Sequence, residues 1–192
     1  MSTGDIVIPF FRLGVEHILL GLDHLLFLAG LLVVARDWRS IIAVVTTFTL
    51  AHSLTLALAA LDVLRIPNRW SELLIAASIL WVGAENIWQK GEPKSRWAVT
   101  ALFGLVHGLG FATALREVGL GQQGRGIALP LVSFNVGIEV GQIAVACAMV
   151  ALFGKLSERA GDPRRLRMVV SAIVALCGAC WVFIRIKQGF AG

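Results

Sequence analysis

The stretch that decides the reading of this chain is Gly14-Val15-Glu16-His17-Ile18-Leu19-Leu20-Gly21-Leu22-Asp23-His24-Leu25-Leu26-Phe27. It is apolar enough to cross a membrane, yet it carries Glu16, His17, Asp23 and His24. An ionisable group at mid-bilayer costs roughly 2.5–3.5 kcal/mol on insertion scales, so such a group marks a functional site by default. On a continuous helix His17 and His24 share a face two turns apart, with Glu16 and Asp23 on the neighbouring stripe.

The rest of the composition places this stretch in a membrane protein. Of 192 residues, 57% are hydrophobic and only 15% are charged, with a mean hydropathy of +0.81. That exceeds the apolar share of a soluble domain. The length predicts an all-α polytopic bundle of about six transmembrane helices forming one domain over residues 1–192, with the lipid bilayer as its first partner. The formal net charge of +5 comes from basic residues at helix ends, which fits anchoring at the membrane surface and argues against a nucleic-acid partner. The start, Met1-Ser-Thr-Gly-Asp5, lacks the basic region and cleavage site of a secretory signal, so no processing is expected.

Hydropathy predicts spans at about 6–35, 40–61, 70–89, 97–115, 127–153 and 168–186, with a glycine-rich loop over Gly119–Gly126. The loops after spans one, three and five hold ten Lys and Arg against seven on the other side. The positive-inside rule then leaves both termini outside the cytoplasm, in a bacterial-type inner membrane. Cys177-Gly-Ala-Cys180 has the spacing of a thiol or metal pair, but on one helix it reads first as small residues at packing positions. Gly14-x-x-His17 is echoed by Gly104-x-x-His107, a repeat too short to found an architecture on.

All four histidines, His17, His24, His52 and His107, fall in predicted spans. His24, His52, His107 and Glu139 lie some 10–18 residues from a span end, which at about 1.5 Å per residue puts them near the midplane. Imidazole and carboxylate together form a ligand set for a first-row divalent ion. His17 and His24 would be about 10 Å apart along an unbroken helix, too far for one ion with bonds near 2 Å unless Gly21 interrupts it. Two stations follow: Glu16 and His17 outside, and Asp23, His24, His52 and His107 deeper. In span five Asn135, Glu139 and Gln142 sit on one stripe, beside a Gly137-x-x-x-Gly141 pattern that permits close helix approach. Glu85-Asn86 nearer the cytoplasm reads either as an exit station or as a snorkelling carboxylate. A purely structural hydrogen-bond network among these groups would have to bear insertion penalties summing to roughly 15–20 kcal/mol. A metal or proton site is the better explanation.

Taken together, His17-x5-Asp23-His24, Thr49-Leu50-Ala51-His52-Ser53, Phe103-Gly104-Leu105-Val106-His107-Gly108 and Phe134-Asn135-x-Gly137-x-Glu139-x-Gly141-Gln142 resemble the HupE/UreJ family over nearly the whole chain. The first element is also similar to the His-x4-Asp-His signature of the larger nickel/cobalt transporter family. It has one more intervening residue, which rotates His17 by about 100° on a helix. The resemblance implies a small membrane permease that takes up nickel or cobalt. No phosphate-binding loop is present to drive it, so an ion or potential gradient would; a divalent ion entering a negative interior gains about 4.6 kcal/mol per 100 mV. Two other readings stand beside this one. An intramembrane zinc-dependent hydrolase could use the histidines and Asp23 around zinc, with Ser53 beside His52 as a polar group acting on a lipid or acyl bond. An accessory protein could simply house or sense the metal. On any of these readings the chain could form a homo-oligomer.

Overall fold

In the computed structural model the chain is described over residues 3–35, 37–89, 93, 96–111 and 126–190. The predicted loop Gly119–Gly126 and the end of the predicted fourth span fall almost entirely outside these residues. The described residues form seven α-helices: α1 Gly4–Leu20, α2 Leu22–Leu32, α3 Trp38–Ala60, α4 Asn68–Trp88, α5 Arg96–Gly110, α6 Ala128–Ala160 and α7 Pro163–Phe190. The all-α polytopic reading is correct. By length and apolarity α3, α6 and α7 each suffice to cross a membrane, and α1 with α2 makes a fourth crossing bent by 67°. Trp38, Trp70, Trp88 and Trp97 stand exposed at helix ends, where indole rings anchor a bundle at the lipid–water boundary.

Lipid removes the hydrophobic drive for helices to associate, so close packing must supply it. Here glycine supplies it three times. In the first pair, Gly14 of α1 lies against the Phe134 carbonyl of α6, and Gly137 of α6 lies against the Phe11 carbonyl of α1. In the second, Gly104 and Gly108 of α5 rest on the Phe48 and His52 carbonyls of α3. In the third, Gly83 of α4 meets the backbone of Ala175, and Gly178 of α7 meets that of Leu80. A Cβ at any of these positions would collide with backbone, whereas a glycine hydrogen there faces a neighbouring chain. Where it faces a carbonyl, such contacts contribute about 0.5–1 kcal/mol each. Gly178 also explains the Cys177-Gly-Ala-Cys180 spacing: the helix face is used for packing, and both thiols are free.

The short α2 threads between these pairs, with Phe27 and Leu31 packed against the Val82 and Val174 cluster and Leu28 and Leu32 in the core around Phe134 and Ile138. Turn chemistry sets the limits of the long helices. Asp37 accepts a hydrogen bond of 2.8 Å from the Ser40 amide at the start of α3, and this bond holds its carboxyl below the usual carboxylate range. Gly161, at φ +68°, ends α6 in the left-handed conformation that suits glycine.

Candidate metal centre

The helix expected to run unbroken through the opening stretch is broken at Gly21. Its ψ of 93° takes the backbone out of the helical region, so Leu22 starts a new helix in a new direction. This overturns the two-station geometry, which assumed about 10 Å between His17 and His24. The bend folds the two rings together, with centroids 4.6 Å apart. His52 comes to the same place from α3, its centroid 6.0 Å from His17 and 6.1 Å from His24. Ligand nitrogens of all three lie within 4.8 Å of one another. A tetrahedral ion with bonds near 2 Å holds its nitrogens ~3.3 Å apart, so modest side-chain rotation closes the cluster on an ion.

Among the described residues nothing else claims these nitrogens. His17 Nε2 and both nitrogens of His24 and His52 are closed to solvent and have no hydrogen-bond partner. A buried polar atom left unpaired costs about 1–3 kcal/mol, and buried groups in folded proteins are nearly always paired. Five such nitrogens on three converging rings therefore point to an absent ligand rather than to a structural network.

His107 sits one step further in, its ring centroid 5.1 Å from that of His24. Ser78 Oγ donates to the Ile75 carbonyl at 2.7 Å and lies 2.9 Å from His107 Nε2. With the Ser78 proton on the Ile75 carbonyl, His107 Nε2–H donates to Ser78 and Nδ1 keeps its lone pair. Nδ1 is buried and has no partner. An imidazole fixed in one tautomer by a hydrogen bond to its far nitrogen is the arrangement metal-ligating histidines use. The Gly-x-x-His echo gains a meaning here. In α1 and in α5 alike, the glycine packs on a phenylalanine carbonyl and the histidine one turn later faces His24.

The other expected residues lie elsewhere. Asp23, one position from His24 and so about 100° around α2, lies within electrostatic reach of Arg185 and Glu72, which pair at 3.1 Å. Glu16 pairs with Arg12 at 2.7 Å on the exposed side of α1. Ser53 donates to the Thr49 carbonyl at 2.6 Å, not to His52, so the expected pairing of Ser53 with His52 does not form. Glu139 accepts from Thr46 at 3.0 Å, Gln142 accepts from Thr49 at 2.7 Å, and Asn135 donates to the Leu131 carbonyl at 2.9 Å. Among the described residues no carboxylate joins the three histidines. Glu85 and Asn86 are buried against Arg96, a residue expected in a loop: Glu85 pairs with it at 3.1 Å, Asn86 Oδ1 accepts from its guanidinium, and Asn86 Nδ2 donates to the Gly30 carbonyl at 2.6 Å. The acid at this depth is a fastener between helices.

Sequence reasoning did not single out the aromatic walls. Phe111 covers His17 at 4.0 Å and stacks on Phe134, while Phe48 lies 6.0, 5.9 and 5.3 Å from His24, His52 and His107. Phenyl walls exclude water, which strengthens any electrostatic interaction inside. Phenylalanines spaced along apolar helices give no signal that sets them apart from ordinary core.

Gly21 tests this geometry. A Cβ there would lie 2.6 Å from the His17 carbonyl and 2.9 Å from His24 Nδ1. Gly21→Ala is expected to displace the His24 ring and to weaken Ni²⁺ or Co²⁺ binding by about 10–100-fold while helical content stays unchanged. Metal titration alongside circular dichroism reads both.

Fold and site together define a polytopic membrane protein with an imidazole-lined centre inside its helix bundle. A family model described as HupE / UreJ protein matches residues 1–185, and the chain belongs to that family of nickel/cobalt membrane transporters. No curated protein and no solved structure matches.

Proposed function

We propose that this protein is an uptake permease for Ni²⁺ or Co²⁺ in which His17, His24 and His52 form the intramembrane binding site and His107 receives the ion next. The observation that carries this reading is the set of five unpartnered ring nitrogens on three converging histidines. Imidazole suits nickel, cobalt and zinc, and a site with no carboxylate binds without the excess charge that would trap a divalent ion. Conduction needs sites that replace hydration yet release the ion, and adjacent sites that share a ligand meet that need. His24 touches both His17 and His107, so the ion can pass inward without losing all its ligands at once.

In this reading α4 and α5 complete six spans, and both termini lie outside. Taking buried Arg96 out of the count leaves nine basic residues on the proposed cytoplasmic side against seven opposite, so the orientation still follows. Proteoliposomes holding the purified protein should accumulate radioactive nickel or cobalt along an imposed inside-negative potential, and His52→Ala vesicles should not. Equal accumulation in the two would rule the proposal out.

A further inference from the structure

The seam between α3 and α6 holds a second polar site, of different chemistry. Thr46, Thr49, Ser53, Asn135 and Glu139 border an open groove of about 350 Å³ whose apolar rim includes the exposed Leu50 and Val132. Every hydroxyl proton in it is spent. Thr46 donates to Glu139 Oε1, Thr49 to Gln142 Oε1, and Ser53 to the Thr49 carbonyl. Each hydroxyl oxygen is thereby left with lone pairs and no proton to offer. Glu139 Oε2 and Asn135 Oδ1 are also closed to solvent and have no partner. Glu139 Oε2 and Asn135 Oδ1 are thus unfilled acceptors beneath a largely apolar lining, and a cation would fill them.

We propose that this groove binds a hard monovalent cation of the sodium class, held by Glu139 with Asn135 and the hydroxyls of Thr46, Thr49 and Ser53. Oxygen-only donors select hard cations and leave nickel and cobalt to the imidazoles. A single carboxylate neutralises one positive charge, whereas a divalent ion here would keep an uncompensated charge in a low-dielectric setting. A proton on Glu139 would satisfy one oxygen and leave the others unfilled. The seam also continues. Thr46 and Glu139 also line a second hollow, of about 50 Å³, that reaches Trp38 and Cys147. Trp38 and Ile41 in turn border a third, of about 370 Å³, beside Asp37 and Ser157 at the helix ends. An ion seated at Glu139 lies between the first two of these hollows, which with the third border α3 from Trp38 to Ser53. On the permease reading, from which this role follows, its downhill movement supplies the driving force for metal uptake; binding itself does not depend on that reading.

The test is equilibrium binding of radioactive sodium to the purified full chain in choline buffer, with Ni²⁺ binding measured on the same samples. Saturable sodium binding that is lost in Glu139→Gln and in the Thr46→Val, Ser53→Ala double variant, and kept in His24→Ala, is the expected result, with Ni²⁺ binding intact in Glu139→Gln. The double variant keeps the test decisive if Glu139→Gln does not fold. Absence of saturable sodium binding at any pH overturns the proposal, as a protonated Glu139 would give. Sodium binding that survives both variants overturns it too. So does loss of Ni²⁺ binding in a folded Glu139→Gln, which would return Glu139 to the metal site. Because sodium and nickel are read separately and without flux, failure of this site and failure of the permease reading are distinguishable.

Discussion

His24→Ala is expected to abolish measurable Ni²⁺ and Co²⁺ binding while leaving the metal-free protein as stable as the parent, or more so. His24 is the one imidazole whose ring approaches all three others, at 4.6 Å from His17, 6.1 Å from His52 and 5.1 Å from His107. Without it only His17 and His52 remain, 6.0 Å apart between centroids. Losing a partner behind a metal ligand already costs about 10–100-fold, so losing the central ligand should exceed about 100-fold. The stability half is the sharper discriminator. If His24 were a structural hydrogen-bonding residue, its removal would orphan its partners and destabilise the fold. Both of its nitrogens are instead unpaired and shut from solvent, so truncation relieves a burden of about 1–3 kcal/mol per group against some loss of ring packing. Calorimetric titration gives the binding, and thermal melts with and without metal give the stability. An unchanged metal affinity, or a metal-free melting point far below the parent's, would show that the centre lies elsewhere.

The sequence announces the histidines and their depth, but not which neighbours they meet. Depth follows from counting residues along a helix, and His24, His52 and His107 do come together. Lateral direction does not follow. Asp23 and Glu139 lie at similar depth and stay out of the cluster: Asp23 is within electrostatic reach of Arg185, and Glu139 accepts from Thr46. The sequence names Gly21 as the residue that could break the helix but does not decide it, because the apolar run continues through Leu19, Leu20 and Leu22 and a glycine within a helical pattern is usually tolerated. Everything that distinguishes one shared site from two stations depends on that residue. The helix pairs were legible in part. Gly137-x-x-x-Gly141 and Gly104-x-x-x-Gly108 announce close approach, but only the structure shows that their partners are the carbonyls of α1 and α3.

Arg96→Ala is expected to cost about 3–5 kcal/mol of stability. In sequence Arg96 is the last cation of a basic loop and should be dispensable, since exposed ion pairs contribute about 0–1 kcal/mol. In the structure it is 2% exposed and opens α5, where its backbone amide bonds to the Pro93 carbonyl at 3.1 Å. Its guanidinium binds Glu85 and Asn86 on α4, and Asn86 carries the connection to the Gly30 carbonyl on α2. Removing the guanidinium strands a buried carboxylate and an amide oxygen together, and that uncompensated charge, not the lost attraction, sets the magnitude. Arg96→Lys should recover only part of the loss, because an ammonium lacks the planar fork that reaches two acceptors. The double variant Glu85→Gln, Arg96→Met should recover most of it, because no charge is then left unpaired. Melting temperatures and denaturant midpoints of the four proteins in one detergent decide the order. If the double variant is no more stable than Arg96→Ala, the penalty does not arise from a stranded charge. The same links bear on transport. Arg96, Glu85 and Asn86 join α5 and α4 to the far end of the helix that presents His24, so on the permease proposal a movement that opens the centre at this end would part them. Arg96→Ala should therefore lower metal affinity far less than His24→Ala while altering the rate at which bound metal is released inward.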